Sequence, residues 1–333
     1  MMMDFLAEYG MFLAKLGTFV ILLLAIVVIA FVLFMRAKAS GDEHLEIKNL
    51  NQKYEHMQLM LKSAILPKKA FKKELKALKA KHKQEQKKES EPDERHNIYV
   101  LNFNGDIRAS EVASLREEIT ALLTVADKND EVIVLLESGG GTVHGYGLAA
   151  SQLRRIKDKS IKLTISVDKV AASGGYMMAC VADHIIASPF AIIGSIGVLA
   201  QIPNFNRFLK KHNIDFEQIS AGKYKRTLSL FGENTDEDRE KLRQELEDTH
   251  QLFKEFVSEN RTKVDIEKIA TGEHWHGKNA LKLGLIDELK TSDDYLSEAS
   301  NSADIYEISY YRKRPLIEKI LSPAIKLFEQ NNI

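Results

Sequence analysis

A serine opening a helix, a glycine-rich turn and a lysine can together cleave an acyl bond, and this 333-residue chain carries all three in one order. The segments are Glu137-Ser138-Gly139-Gly140-Gly141, Ala172-Ser173-Gly174-Gly175-Tyr176 and Gly222-Lys223-Tyr224-Lys225. Trp275-His276-Gly277 and Gly284-Leu285-Ile286-Asp287 follow them. Ser173 comes after a predicted strand and begins a predicted helix, where free N–H groups and the helix dipole favour developing negative charge. Gly174 and Gly175 lack a Cβ, so the backbone can approach a substrate closely. Amides of the Gly139–Gly141 turn could donate to an oxyanion, an interaction worth about 3–4 kcal/mol per donor. Lys225 could act as base only when burial or a neighbouring cation pulls its pKa down from about 10.4. Tyr224 and Leu228 offer apolar cover, while Lys223 and Arg226 add positive charge. Taken singly, each feature has a plainer explanation: a serine N-cap, packing glycines, a solvated lysine.

Competing chemistries fit less well. The glycine turn has neither the GxxxxGK pattern of a phosphate loop nor the GxGxxG of a dinucleotide fold. His144 and Asp168 could be cast with Ser173 as a triad, but no local signature supports that arrangement. His274 and His276 flank Trp275, a spacing that does not share a helical face, and no HExxH motif is present, so no metal is expected. Cys180 is the single cysteine and sits in an apolar stretch, which excludes a disulfide framework and suits a buried residue. Zero formal net charge gives no whole-chain footprint for nucleic acid. No cofactor is implied.

These residues need a scaffold, and the periodicities supply one. Strands are predicted at 98–103, 131–136, 161–167, 184–187 and near 215–220; helices at 110–123, 144–157, 174–182, 204–212 and 235–260. Strand–helix alternation implies an α/β fold with a mostly parallel sheet and right-handed crossovers. The acidic first turn of the last helix (Asp236, Glu237, Asp238) complements its dipole.

Outside the globular part, the charge pattern divides the chain. Leu16 to Met35 holds no charged residue, and twenty residues at about 1.5 Å rise span roughly 30 Å, a bilayer core. Its length and the charged Arg36-Ala37-Lys38 that follows favour an uncleaved anchor over a signal peptide. The next segment places ten lysines between Lys68 and Lys88 against Glu74 and Glu85. It reads as a helical spacer that lifts the next domain off the membrane, attraction to anionic headgroups being the sharper alternative. The expected regions are 1–36 with a transmembrane anchor, 37–96 a lysine-rich spacer, 97–295 the catalytic domain and 296–333 a tail. The tail carries an apolar stripe (Leu316, Ile317, Ile320, Leu321, Ile325, Phe328) suited to packing on the domain or a neighbouring subunit.

With those motifs in their order, residues 97–289 resemble the signal peptide peptidase A family of membrane serine proteases. The anchor, the charged segment and Ala221-Gly222-Lys223-Tyr224-Lys225-Arg226-Thr227-Leu228 make the chain most similar to its SohB branch. The resemblance implies a ClpP/crotonase-like fold, a Ser–Lys dyad and a homo-oligomer acting on polypeptides at the lipid bilayer. Ser173 falls on the family's nucleophile and Lys225 on its general base. Gly140 and Gly174 fall on oxyanion donors, and Ser195 on a serine that holds the lysine. The tryptophan and Gly284–Asp287 segments match a structural signature. Two departures stand out: Gly139 replaces the usual proline, and Arg226 stands where relatives often carry serine or aspartate. A catalytically inactive membrane scaffold of the same fold and a crotonase-like acyl-CoA enzyme are the alternatives. The location implied is the inner (cytoplasmic) membrane, single-pass. The lysine distribution places the domain on the cytoplasmic side; the family resemblance places it on the outer face.

Overall fold

The computed structural model describes residues 10–12, 15–24, 26–29, 31, 43–88 and 95–312, with positions 79 and 81–88 as backbone only. They divide into two units: the chain's ends (Met1–His44 with Tyr311–Ile333), and Leu45–Tyr310. In the first, helix α1 (Gly10–Ile29) is 20 residues long and apolar enough to cross a membrane. Part of the Leu16–Met35 run and the apolar stripe from Leu316 to Phe328 lie outside the described residues.

After α1 the elements run β1 (His44–Asn49), α2 (Leu50–Ile65), α3 (Lys68–Lys88), β2 (Asn97–Asn104), α4 (Val112–Leu122), β3 (Glu131–Glu137), α5 (Val143–Asp158), β4 (Lys162–Val167), β5 (Val170–Ala172) and α6 (Gly174–Ala179). They continue with β6 (His184–Ala187), β7 (Ile192–Gly194), α7 (Asn206–Lys211), α8 (Asp236–Asn260), α9 (Ile266–Ile269), β8 (His274–His276), α10 (Gly277–Lys282), β9 (Glu288–Leu289), α11 (Ser292–Ala299) and β10 (Asp304–Tyr311). Seven strands form one sheet in the order β1-β10-β2-β3-β4-β6-β9. The pairings from β10 through β9 are all parallel. The expected mostly parallel α/β architecture is therefore present.

β3 shows why the apolar run at 131–136 makes a central strand. Val132, Val134 and Leu136 enter the main core with Leu115, Ile119, Tyr146 and Leu153. Ile133 and Leu135 belong to a second cluster with Leu50, Ile98 and Leu296. Both faces are covered, as a parallel sheet requires. Cys180 is fully buried in the main core, and burial pushes its thiol up to about 12, so it behaves as an inert apolar residue.

Three short strands form a second sheet, β5-β7-β8, in which β5 and β7 are parallel and β8 is antiparallel. Three residues are too few to show a period, so no pattern announces them. Residues 304–311, in the segment read as a tail, extend the large sheet along β2. The strand expected near 215–220 is absent: this stretch lies in an excursion between β7 and α8 that offers no sheet edge. There Phe216 packs its ring on Phe231, and Ile219 is 95% exposed.

Glu118 on α4 is a buried acid with a structural consequence. Its Oε1 accepts from the Tyr310 N–H at 2.8 Å, while Oε2 is buried without a partner. Burial, opposed by the Tyr310 hydrogen bond and reinforced by Glu111, pushes its pKa up from 4.5 to about 7. The folded state therefore holds a proton that the unfolded chain has released. Its stabilising contribution is complete below about pH 4.5 and is lost as pH rises through about 7. Glu118→Gln is expected to flatten that decline, at most about 1.4 kcal/mol per pH unit, in urea unfolding measured between pH 4.5 and 7.5.

Candidate active site

The turn from β5 into α6 creates the site. Ser173 caps α6 with φ 52° and ψ −119°, a conformation a non-glycine residue rarely adopts. It is held there by its own N–H, which donates to Gly194 O at 2.7 Å, and by its carbonyl, which accepts from Met177 N at 3.0 Å. The β5–β7 ladder pairs Ala172 with Gly194, so one further step brings Ser173 and Ser195 abreast. Ser195 is strained in the same way, at φ 51°, and its N–H donates to Glu273 O at 2.7 Å. Two serines in adjacent left-handed positions are a concentration of strain typical of functional sites.

The glycine turn reaches over this junction. Gly140 adopts φ 92°, and a Cβ there would lie 2.7 Å from Gly174 N and 2.8 Å from both Ala172 O and Ser173 Cβ. Its N–H donates to Ser138 Oγ at 3.0 Å. Tyr146 Oη donates to Asp106 O at 2.8 Å, so its contact with Ser138 Oγ at 2.5 Å has the serine as donor. A directional chain thus runs Gly140, Ser138, Tyr146, Asp106. Gly174 and Gly175, as first-turn residues, have N–H groups without intrahelical acceptors beside Ser173. A Cβ on Gly174 would lie 2.4 Å from Tyr146 Cγ, so the glycine is needed for that fit.

A small cavity of about 20 Å³ opens at Ser173, room for a single water. It is lined by Gly141, Val143, Met177, Val198, Thr249 and Phe253 among others. Thr249 and Phe253 come from α8, far along the chain, and nothing local in the sequence marks them. Tyr146 was equally unmarked, an aromatic inside an ordinary amphipathic helix.

Lys225 is not among the residues lining this cavity. It sits exposed in a turn, its N–H donating to Gly222 O at 3.1 Å. The same segment docks on the start of α8. Lys223 Nζ meets Glu237 at 2.7 Å, and Lys241 Nζ lies 5.3 Å from the Tyr224 ring centre. Thr249 lies eight residues further along that helix, a rise of about 12 Å. The structure therefore joins Ser173, Gly140, Gly174 and Ser195, and leaves Lys225 apart in this chain.

The alternative triad is not assembled. Asp168 accepts from Ser292 N at 2.9 Å and from Ser292 Oγ, while His144 is exposed. Asp168 instead lines a larger cavity of about 340 Å³ with Asn102, Asn104, Glu137, Ser166 and Lys169. Ser166 alternates with Ile165 and Val167 of the main core, so this cavity belongs to the other face of the sheet. Among the described residues no cluster of His, Cys, Asp or Glu could hold a metal.

The two downstream motifs brace the site. The Trp275 ring fills the space above Gly194 (φ 106°), 2.8 Å from where a Cβ would stand. Gly277 packs where a Cβ would lie 2.1 Å from Ser188 O. Asp287 receives both Arg261 guanidinium nitrogens at 2.9 Å and the Ile185 N–H at 2.8 Å. Burial alone would raise the Asp287 pKa, but these donors hold it below the usual carboxylate range. Tyr176 Oη donates to Leu285 O at 2.9 Å, tying α6 to the same corner.

Comparison with known proteins identifies the family. The model for the peptidase family S49 N-terminal region matches residues 4–153, and that for peptidase family S49 matches residues 155–306. "Probable protease SohB" of Haemophilus influenzae is 49% identical over 328 residues, covering 96% of this chain and 93% of that protein. Its namesake from Buchnera aphidicola subsp. Schlechtendalia chinensis is 50% identical over 303 residues, covering 88% and 99%. Among solved structures, the 1510-N membrane-bound stomatin-specific protease, a lysine-to-alanine mutant with a substrate peptide, matches at 15% identity and TM-score 0.43, covering 70% of this chain and 100% of that one. Matched along nearly its whole length by family models and by relatives at about half identity, the chain belongs to peptidase family S49 and is a protease.

Proposed function

We propose that this protease is a membrane-anchored serine endopeptidase that works through an acyl-enzyme, with Ser173 as nucleophile and Lys225 as general base. The observation that carries the reading is Ser173 itself: a strained, helix-opening serine beside first-turn amides, one step beyond the Ala172–Gly194 pair, at the mouth of a cavity. Lys225 Nζ takes the Oγ proton as Oγ bonds to the peptide carbonyl carbon. The Gly174 N–H stabilises the oxyanion, joined by Gly140 once its N–H turns from Ser138 Oγ. The resulting ammonium protonates the departing amine as the C–N bond breaks. Lys225 then deprotonates a water that attacks the ester and frees Ser173. Ser195 holds the lysine.

Lys225 must be both near Ser173 and stripped of water, and homo-oligomerisation supplies both conditions. Its excursion exposes Leu199, Phe205, Phe208, Ile219 and Tyr224, a surface suited to covering by another copy. Helix α1 serves as a single-pass anchor in the inner (cytoplasmic) membrane. Substrates are polypeptides, including signal-peptide remnants and other unfolded or membrane-associated chains.

A fluorophosphonate probe tests the chemistry directly. Peptide mapping of the labelled full-length protein is expected to place the adduct on Ser173 and to find labelling lost in Lys225→Ala. A scaffold or an acyl-CoA enzyme of this fold gives no Ser173 adduct, and that result, or undiminished labelling of Lys225→Ala, overturns the proposal.

A further inference from the structure

Helix α3 concentrates its charge on one side. At 100° per residue, Lys68, Lys69, Lys72, Lys73 and Lys76 fall within an arc of about 140°. Phe71, Leu75 and Leu78 form an adjoining face and are half-buried, whereas the five lysines are exposed. The pairs Lys68/Lys72, Lys69/Lys73 and Lys72/Lys76 are like charges four residues apart, which oppose helix formation. Glu74, which could relieve them, is turned to Lys62 of α2 instead. Among the described residues none of the five lysines has an acidic partner. A helix that gathers repulsive neighbours and directs its nearest carboxylate elsewhere is built for an external anionic surface.

We propose that the lysine face of α3 docks on the anionic headgroups of the bilayer that anchors the chain. This inference rests on the reading of α1 as a membrane anchor. The folded unit that carries α3 begins at β1, 15 positions after Ile29 (44 − 29), so the connection keeps the helix at high effective concentration over the lipid. Each lysine close to an anionic leaflet then favours the docked state about fivefold, an attraction that decays within a Debye length of about 8 Å. Docking would set the orientation of the catalytic unit relative to the membrane, and with it the access of membrane-associated polypeptides to Ser173.

Hydrogen–deuterium exchange of the full-length protein, reconstituted in phosphatidylcholine vesicles with or without phosphatidylglycerol, tests this. The α3 amides are expected to exchange more slowly when phosphatidylglycerol is present, by at least the factor of about fivefold that one docked lysine supplies, and the difference should vanish in molar salt. It should also vanish when all five lysines become glutamine and persist when all five become arginine. Because the readout is a difference between vesicles, any intrinsic change in helix stability cancels. Equal exchange in both vesicle types means a solvated spacer and overturns the proposal. Slowing that ignores lipid charge but grows with protein density means contact between copies and also overturns it. Flotation with pure phosphatidylcholine vesicles tests the anchor separately. A chain that fails to float refutes the anchor, whereas one that floats without lipid-dependent protection refutes only the docking.

Discussion

Ser173→Ala and Lys225→Ala are each expected to lower peptide hydrolysis by at least about 10⁴-fold, because residues of one catalytic unit fail together rather than additively. Neither change should unfold the protein. Alanine keeps the Cβ that the Ser173 backbone already accommodates, and Lys225 is exposed, where substitutions move stability by no more than about 0.5 kcal/mol. Thermal unfolding of both variants should therefore overlay that of the parent. The separation of Lys225 from the Ser173 cavity adds a sharper test. Mixing the two dead variants under conditions that allow subunit exchange should restore activity if one copy lends its lysine to another's serine. A mixture that stays dead assigns the lysine to the same chain, moved by rearrangement of the 199–231 excursion. Substantial hydrolysis by either single variant would remove the dyad altogether.

Gly140→Ala should come next in size, and for a different reason. The residue sits at φ 92°, and its added methyl would meet backbone N and O atoms and Ser173 Cβ at 2.7–2.8 Å, with no flexible side-chain end to yield. The turn must shift, so the nucleophile and the Gly174 N–H lose their alignment. A kcat/KM loss of about 10²–10³-fold is expected, comparable to deleting an oxyanion donor. The backbone strain itself costs about 1–3 kcal/mol. Steady-state kinetics with a quenched peptide, read beside the melting temperature, separates the two effects. Full activity with only a lower melting temperature would show that the turn is purely structural.

The legible parts of this molecule are those encoded over short distances. Val132 to Leu136 declares a central strand because a continuous apolar run has no solvent face to offer. Thr235 with Asp238 marks the start of α8, and the structure shows the reciprocal cap: Thr235 N to Asp238 Oδ2 at 2.9 Å and Asp238 N to Thr235 Oγ1 at 3.1 Å. Ser173, its two glycines and the Gly139–Gly141 turn are likewise local, since turns need particular residue types. By contrast β5, β7 and β8 are three-residue strands that exist only because each finds a neighbour. The stretch at 215–220 reads as a strand and finds none. Tyr146 reaches the site through Asp106, 40 positions away, and through Ser138 and Gly174, while Phe253 shares the Ser173 cavity from α8, contacts that no local pattern records.

Residue order alone thus marked the groups proposed for the chemistry: Ser173, Lys225 and the glycines that let backbone amides approach. Tertiary structure alone decided their state. The β5–β7 ladder ends at Ala172 and Gly194, and the residues that follow, Ser173 and Ser195, both take a positive φ, while the Ser138–Tyr146 chain sets where the Gly140 N–H points. It also left Lys225 outside the cavity at Ser173. Spacing along a chain specifies residue types, whereas the distance between a base and its nucleophile depends on packing that spans the whole fold.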